Sequence, residues 1–113
     1  MSINNLIVYR KTEELLYKVY PRLVNFPKSE KFSLCQQIKL NFMELLSYIS
    51  LGNSVKSKRK SYLQEADARL QNLKTLIKLS RKQKYISQGF YREIDLELTE
   101  INKILSGYIK SDA

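Results

Sequence analysis

Histidine and tryptophan are absent from this chain, which also holds only one cysteine, three glycines and two prolines. Each shortage excludes something. Without histidine there is no Ser–His or Cys–His nucleophile pair and no imidazole ligand, which removes most metal centres. Cys35 has no partner for an intrachain disulfide, which fits a reducing, cytoplasmic setting. No apolar run approaches the roughly 20 residues of a membrane span, so no membrane partner is expected. The amino-terminal MSINNLIVYRKTEELL has no basic segment followed by a continuous apolar stretch and does not read as a signal peptide. The acids are scattered and form no D-x-D pattern, so no metal, no cofactor and no enzyme is expected. Few glycines and prolines also mean few turns, and alternating strand patterns are missing.

What is present is helical periodicity. With 113 residues and 43% hydrophobic content, one domain spanning 1–113 is expected, with a small core that oligomerisation would help. A first run over about 4–25 carries Leu6, Tyr9, Leu16, Val19, Tyr20 and Leu23 on one face. Pro21 falls inside it and must kink or restart the helix, and Phe26-Pro27 ends it. A second run, 31–51, places Cys35, Ile38, Phe42, Leu45 and Ile49 in one stripe, widened by Leu34, Met43, Leu46 and Tyr48. Ser33 with Gln36 reads as its capping box, and Gly52-Asn53-Ser54 as its stop. A third run, 58–83, repeats the pattern with Leu63, Ala66, Leu70, Leu73 and Ile77, broadened by Leu76 and Leu79. The fourth, 88–110, has Ser87 as N-cap, Tyr91, Ile94, Leu98, Ile101, Leu105 and Tyr108 as its seam, and a fraying end at Gly107. The segment 52–58 is the expected flexible connection. Four amphipathic helices with short connections predict an all-α fold, an antiparallel up-down-up-down four-helix bundle. The surplus width from Leu46, Leu51, Leu76 and Leu79 fits either a subunit interface or the needs of a small bundle.

Charge is unevenly placed. Ten bases and two acids, Glu65 and Asp67, fall between Lys56 and Lys84, so this window holds net +8 of the chain's +9. On the third run Lys60, Gln64, Asp67, Gln71, Lys74, Lys78 and Lys82 form one polar stripe; Arg69 lies on the other flank, and Arg81 and Lys84 continue past the seam. Such a stripe can follow the phosphates of RNA or DNA, each contact releasing counterions. An ordinary solvated face competes with that reading, but such faces usually mix signs. A third reading is an interaction scaffold docking an acidic protein. The fourth run is mildly acidic at Glu93, Asp95, Glu97 and Glu100, which can pair with the basic run or simply be solvated. Tyr62 and Tyr85 flank the basic run and either stack bases or pack edges. Cys35 reads as a buried small hydrophobe.

The segments YKVYPRLVNFP (17–27), FPKSEKFSLCQQI (26–38) and YLQEADARLQNLKTLIKLS (62–80) resemble the accessory variability determinant (Avd) proteins of diversity-generating retroelements. These are similar to the four-helix proteins encoded by intervening sequences in bacterial large-subunit rRNA genes. The resemblance covers nearly the whole chain. It implies a basic pentameric barrel that binds nucleic acid and associates with the element's reverse transcriptase without being the polymerase. Carried over, it implies a binding surface on Arg69, Lys74, Lys78, Arg81 and Lys82 and the adjoining Lys84. Lys18, Arg22 and the cluster Lys56, Lys58, Arg59 and Lys60 are secondary.

Overall fold

The computed structural model describes the backbone of residues 3–111 and the side chains of residues 7–111; Leu6, expected on the first apolar stripe, lies outside the described side chains. Four helices follow one another: α1 (Ile3–Val19), α2 (Leu34–Ser54), α3 (Arg59–Lys82) and α4 (Gln88–Ser111). Single 3-10 segments occupy Tyr20–Asn25, Lys28–Glu30 and Lys56–Lys58. Each helix packs on its two neighbours, α1 with α2 and α4, α3 with α2 and α4. Cross-helix pairs fix the directions. Glu44 meets Arg69 while Asn41 meets Asn72, and Lys11 meets Glu100 while Lys18 meets Glu93. In each case the partner's number falls as the residue's rises, so the pairs are antiparallel. The result is the up-down-up-down bundle that the periodicity predicts, 43 Å along its longest axis.

The expected stripes of α2, α3 and α4 close the core. Phe42, Leu45, Ile49, Leu63, Leu70, Leu73, Ile94 and Leu98 are inaccessible or nearly so. Leu46 is buried and Leu76 half-buried against the core, whereas Leu51, Leu79 and Met43 are exposed. Cys35 is buried, and burial pushes its thiol above the usual range.

The first helix departs from its expected face. Val8, Thr12, Leu15 and Val19 line the core; Tyr9 and Leu16 sit at its edge, and Tyr20 is exposed. Val8/Tyr9 and Leu15/Leu16 offer two adjacent stripes of equal period, and packing between α2 and α4 selects the less bulky one. Thr12 can be buried because its hydroxyl donates to the Val8 carbonyl at 2.8 Å. Pro21 ends the α-helix and restarts the chain as a 3-10 turn, since it has no N–H to donate.

Three expected helix ends are also corrected. Ser33 makes no capping box; its hydroxyl donates to Glu30 Oε1 at 2.6 Å. The Leu34 N–H at the start of α2 is a further, smaller influence that lowers the Glu30 pKa. Gly52 does not stop α2, which runs on to Ser54. It is buried, and a Cβ there would stand 2.7 Å from Leu63 Cδ2, so the glycine permits close contact between α2 and α3. Across 52–58 only Val55 is outside a helix, between the end of α2 and the Lys56–Lys58 turn, and Arg59 closes the connection by donating from Nε to the Gly52 carbonyl (2.8 Å) and from Nη2 to that of Asn53 (3.3 Å). Gly107 lies within α4, which continues to Ser111. Ser87 does cap α4, accepting from the Phe90 N–H at 3.1 Å.

Candidate polyanion-binding face

The α3 stripe lies on the side that meets α4. Gln71 reaches Asn102 at 3.1 Å and Arg81 donates to Gln88 at 2.6 Å, so the helix face between them borders α4. Lys60, Lys78 and Lys82 are exposed there and Lys74 is half-exposed. Lys74, Lys78 and Lys82 follow one another at single-turn intervals of about 6 Å. Lys56 and Lys58 extend the row at the α2–α3 turn, and Lys84 at the α3–α4 turn. None of these seven ammonium groups has a hydrogen bond or ion pair among the described residues.

Besides Arg81, held by Gln88, four predicted site residues are engaged within the fold. Arg69 pairs with Glu65 (2.7 Å) and Glu44 (3.6 Å) and covers the Tyr48 ring. Lys18 bridges Glu93 and Glu97 at 2.9 and 2.8 Å, and those two hydrogen bonds raise its pKa. Arg22 lies 4.1 Å over the Phe90 ring, and Arg59 closes the α2–α3 connection. These four hold the bundle together and are not gathered with the free lysines.

The acidic helix is the reason the lysines stay free. Glu93, Glu97 and Glu100 turn toward α1, where Lys18 and Lys11 meet them; the Lys11–Glu100 distance is 3.0 Å. Of the two readings of the α4 acids, pairing with the basic α3 or solvation, no pairing with α3 is present among the described residues. A helix turns 100° per residue, so Arg92, Lys103 and Lys110 share the outward side of α4, whereas Asp95 falls with Gln88 and Asn102 on the side that borders α3. All three are exposed and extend the cationic face onto a second helix. The basic count of the 56–84 window hid them. Their spacing of 11 and 7 residues, opposite the apolar seam, is the signal that reveals them.

The flanking tyrosines pack rather than project. Tyr62 stacks on Tyr48 at 6.2 Å. Tyr85 packs on Phe26 at 5.2 Å and donates its hydroxyl to Glu30 Oε2 at 3.0 Å. That bond raises the Tyr85 pKa; the Ser33 hydroxyl, and then Tyr85, lower that of Glu30. Among the described residues no cluster of acids, histidine and cysteine could hold a metal, and no helix is long and apolar enough to cross a membrane. The face is a row of exposed or half-exposed lysines.

A bAvd-like family model matches residues 6–112. The chain belongs to the bAvd-like family. The resemblance of its proline-interrupted first helix, capped turn and basic third helix to Avd proteins is thereby established at the level of family. A solved structure has the same fold as this bAvd-like chain: a protein of unknown function from the S23 ribosomal protein family of Bacteroides thetaiotaomicron. It superposes with a TM-score of 0.81 at 23% identity, over 96% of this chain and 99% of that one. No curated protein matches.

Proposed function

We propose that this bAvd-like protein is a non-catalytic, nucleic-acid-binding accessory protein of a diversity-generating retroelement. It works in the cytoplasm beside a reverse transcriptase and its template RNA to support mutagenic cDNA synthesis. Family membership supports the accessory role. The observation that carries nucleic-acid binding is the predominantly basic α3–α4 face, from Lys60 through Lys74, Lys78 and Lys82 to Arg92 and Lys103, whose lysines make no ion pair among the described residues. Row-like lysines make phosphate contacts without reading bases, so binding is steeply salt-dependent and weakly sequence-dependent. A homopentamer, as the Avd resemblance implies, repeats the face around a ring, and linked weak sites hold a long strand with avidity.

The test is a binding titration with a structured RNA at low and high salt. The triple variant Lys74→Glu/Lys78→Glu/Lys82→Glu should lose binding while keeping its helical circular dichroism. Unchanged affinity in a folded variant removes this face as the site. Light scattering on the same samples reads the subunit number with and without RNA.

A further inference from the structure

The end of the bundle that holds the α1–α2 connection has two adjoining hollows that share one side chain. The first, about 310 Å3, has Leu23 and Phe26 in its lining and Lys28, Lys31 and Lys39 around it. The second, about 410 Å3, is an apolar cleft lined by Leu16, Tyr17, Tyr20 and Pro21. Tyr20 lines both. No acid lines either hollow. Glu30, the carboxylate nearest in sequence, is occupied by Ser33 and Tyr85, and Glu13 is engaged by Tyr17, whose pKa it raises. The Tyr20 and Tyr17 side chains are unusually open for rings at a bundle edge, at 53% and 64% exposure. Lys39 Nζ stands 5.0 Å from the Tyr20 ring centre, so cation and aromatic are already side by side.

A ligand that fills both hollows needs a flat apolar part joined to anionic groups. One nucleotide has that make-up: a base with a π-face and phosphates on either side. Single-strand sites elsewhere combine exposed aromatic platforms with cations that follow the backbone, and the stack tolerates any base. A duplex buries its base faces and offers this end only phosphates. We infer that the hollows either side of Tyr20 form a site for an unpaired nucleotide of single-stranded RNA or DNA. The base stacks on Tyr20 and Tyr17, and the flanking phosphates meet Lys28, Lys31 and Lys39. The inference rests on the reading that the chain binds nucleic acid. It adds a second site, on the α1–α2 side, that prefers unpaired strands, while the α3–α4 face takes any phosphate backbone.

The experiment is fluorescence anisotropy with the full chain, a labelled oligothymidylate and a duplex of equal phosphate number. The wild type should bind the single strand about tenfold more tightly than the duplex, the size of one base–aromatic stack. Tyr20→Ala and, separately, Lys28→Ala/Lys31→Ala should bring single-strand affinity down to the duplex level and leave duplex affinity unchanged. The three residues are exposed, so the variants keep the fold, and circular dichroism checks this. The triple glutamate variant on α3 should weaken both ligands. If the Tyr20 and lysine variants keep the single-strand preference, or the wild type has none, the site is overturned while the α3–α4 reading stands. If the α3 variant binds both ligands normally, the reading of that face falls. If the wild type binds neither ligand, both fall. An alternating Glu/Phe peptide that displaces oligothymidylate from the α3 variant at lower concentration than unlabelled oligothymidylate assigns the hollows to a protein partner and overturns the inference.

Discussion

Lys84 is the one described non-glycine residue with positive φ, at 63°. It holds the position after α3 that glycine commonly fills, because the Tyr85 N–H turns back to the Ser80 carbonyl at 2.9 Å and the Lys84 N–H to that of Arg81. A left-handed lysine carries a steric cost that glycine lacks, so Lys84→Gly should stabilise the protein by about 1 kcal/mol in urea unfolding. A loss of stability would mean that the side chain, not the backbone, secures this turn. Glu30 is the other residue whose role is set locally. Hydrogen bonds from Ser33 and Tyr85 depress its pKa. A carboxyl depressed on folding adds stability that is complete above its unfolded pKa and is lost as pH falls through the folded one. Glu30→Gln should therefore be less stable than wild type at neutral pH, with the gap closing in acid below the ordinary glutamate range. A gap that is the same at both pH values would show that the carboxylate charge plays no part.

At the scale of elements, Gly52 of α2 lets Leu63 of α3 approach where a Cβ would collide. Gly52→Val inserts a branched side chain against a leucine that has no room to move, since Leu63 is fully buried. Overpacking of this kind costs about 1–3 kcal/mol. Gly107→Ala on α4, where nothing lies within 4 Å of the new methyl group, should instead add about 0.5–1 kcal/mol of helix propensity. Thermal melts of the two variants should move in opposite directions. The same scale explains the charge layout. The α1–α4 seam takes the acids and the α3–α4 seam is joined by Gln71–Asn102 and Arg81–Gln88, which are polar but consume no lysine. Lys78→Ala should therefore flatten the plot of log affinity against log salt by about one unit of slope, and Lys18→Ala should leave that slope unchanged. Equal effects would show that ion pairing within the fold does not withdraw Lys18 from binding.

At the scale of the molecule, a net charge of +9, of which +8 falls between Lys56 and Lys84, repels itself. Moderate salt screens that repulsion over about 10 Å or less, a shorter distance than the lysine row spans. The melting temperature should thus rise when sodium chloride is raised from low to physiological strength. It should rise further with a saturating polyanion that binds only the folded state. Melting that is flat in both titrations would mean that the lysines lie too far apart to interact.

The sequence by itself determined the helix count, the seams of α2, α3 and α4, the Ser87 cap and the excess of positive charge. All of these follow from periodicity and composition, which are local properties of a chain. It did not determine which of two neighbouring stripes α1 turns inward, because Val8–Thr12–Leu15 and Tyr9–Leu16 have the same period. Tyr20 lay on the expected core face and is instead an exposed wall between two hollows. Gly52 looked like a stop signal, and only the neighbouring helix explains it. The cationic face was half legible: Lys60, Lys74, Lys78 and Lys82 share a stripe by spacing alone. That Arg59 and Arg69 are engaged depends on how α2 packs on α3, and that Lys18 is engaged while Arg92 and Lys103 face outward depends on which side of α4 meets α1. Tertiary packing decided this, because opposite charges find each other across helices at distances the chain order does not encode.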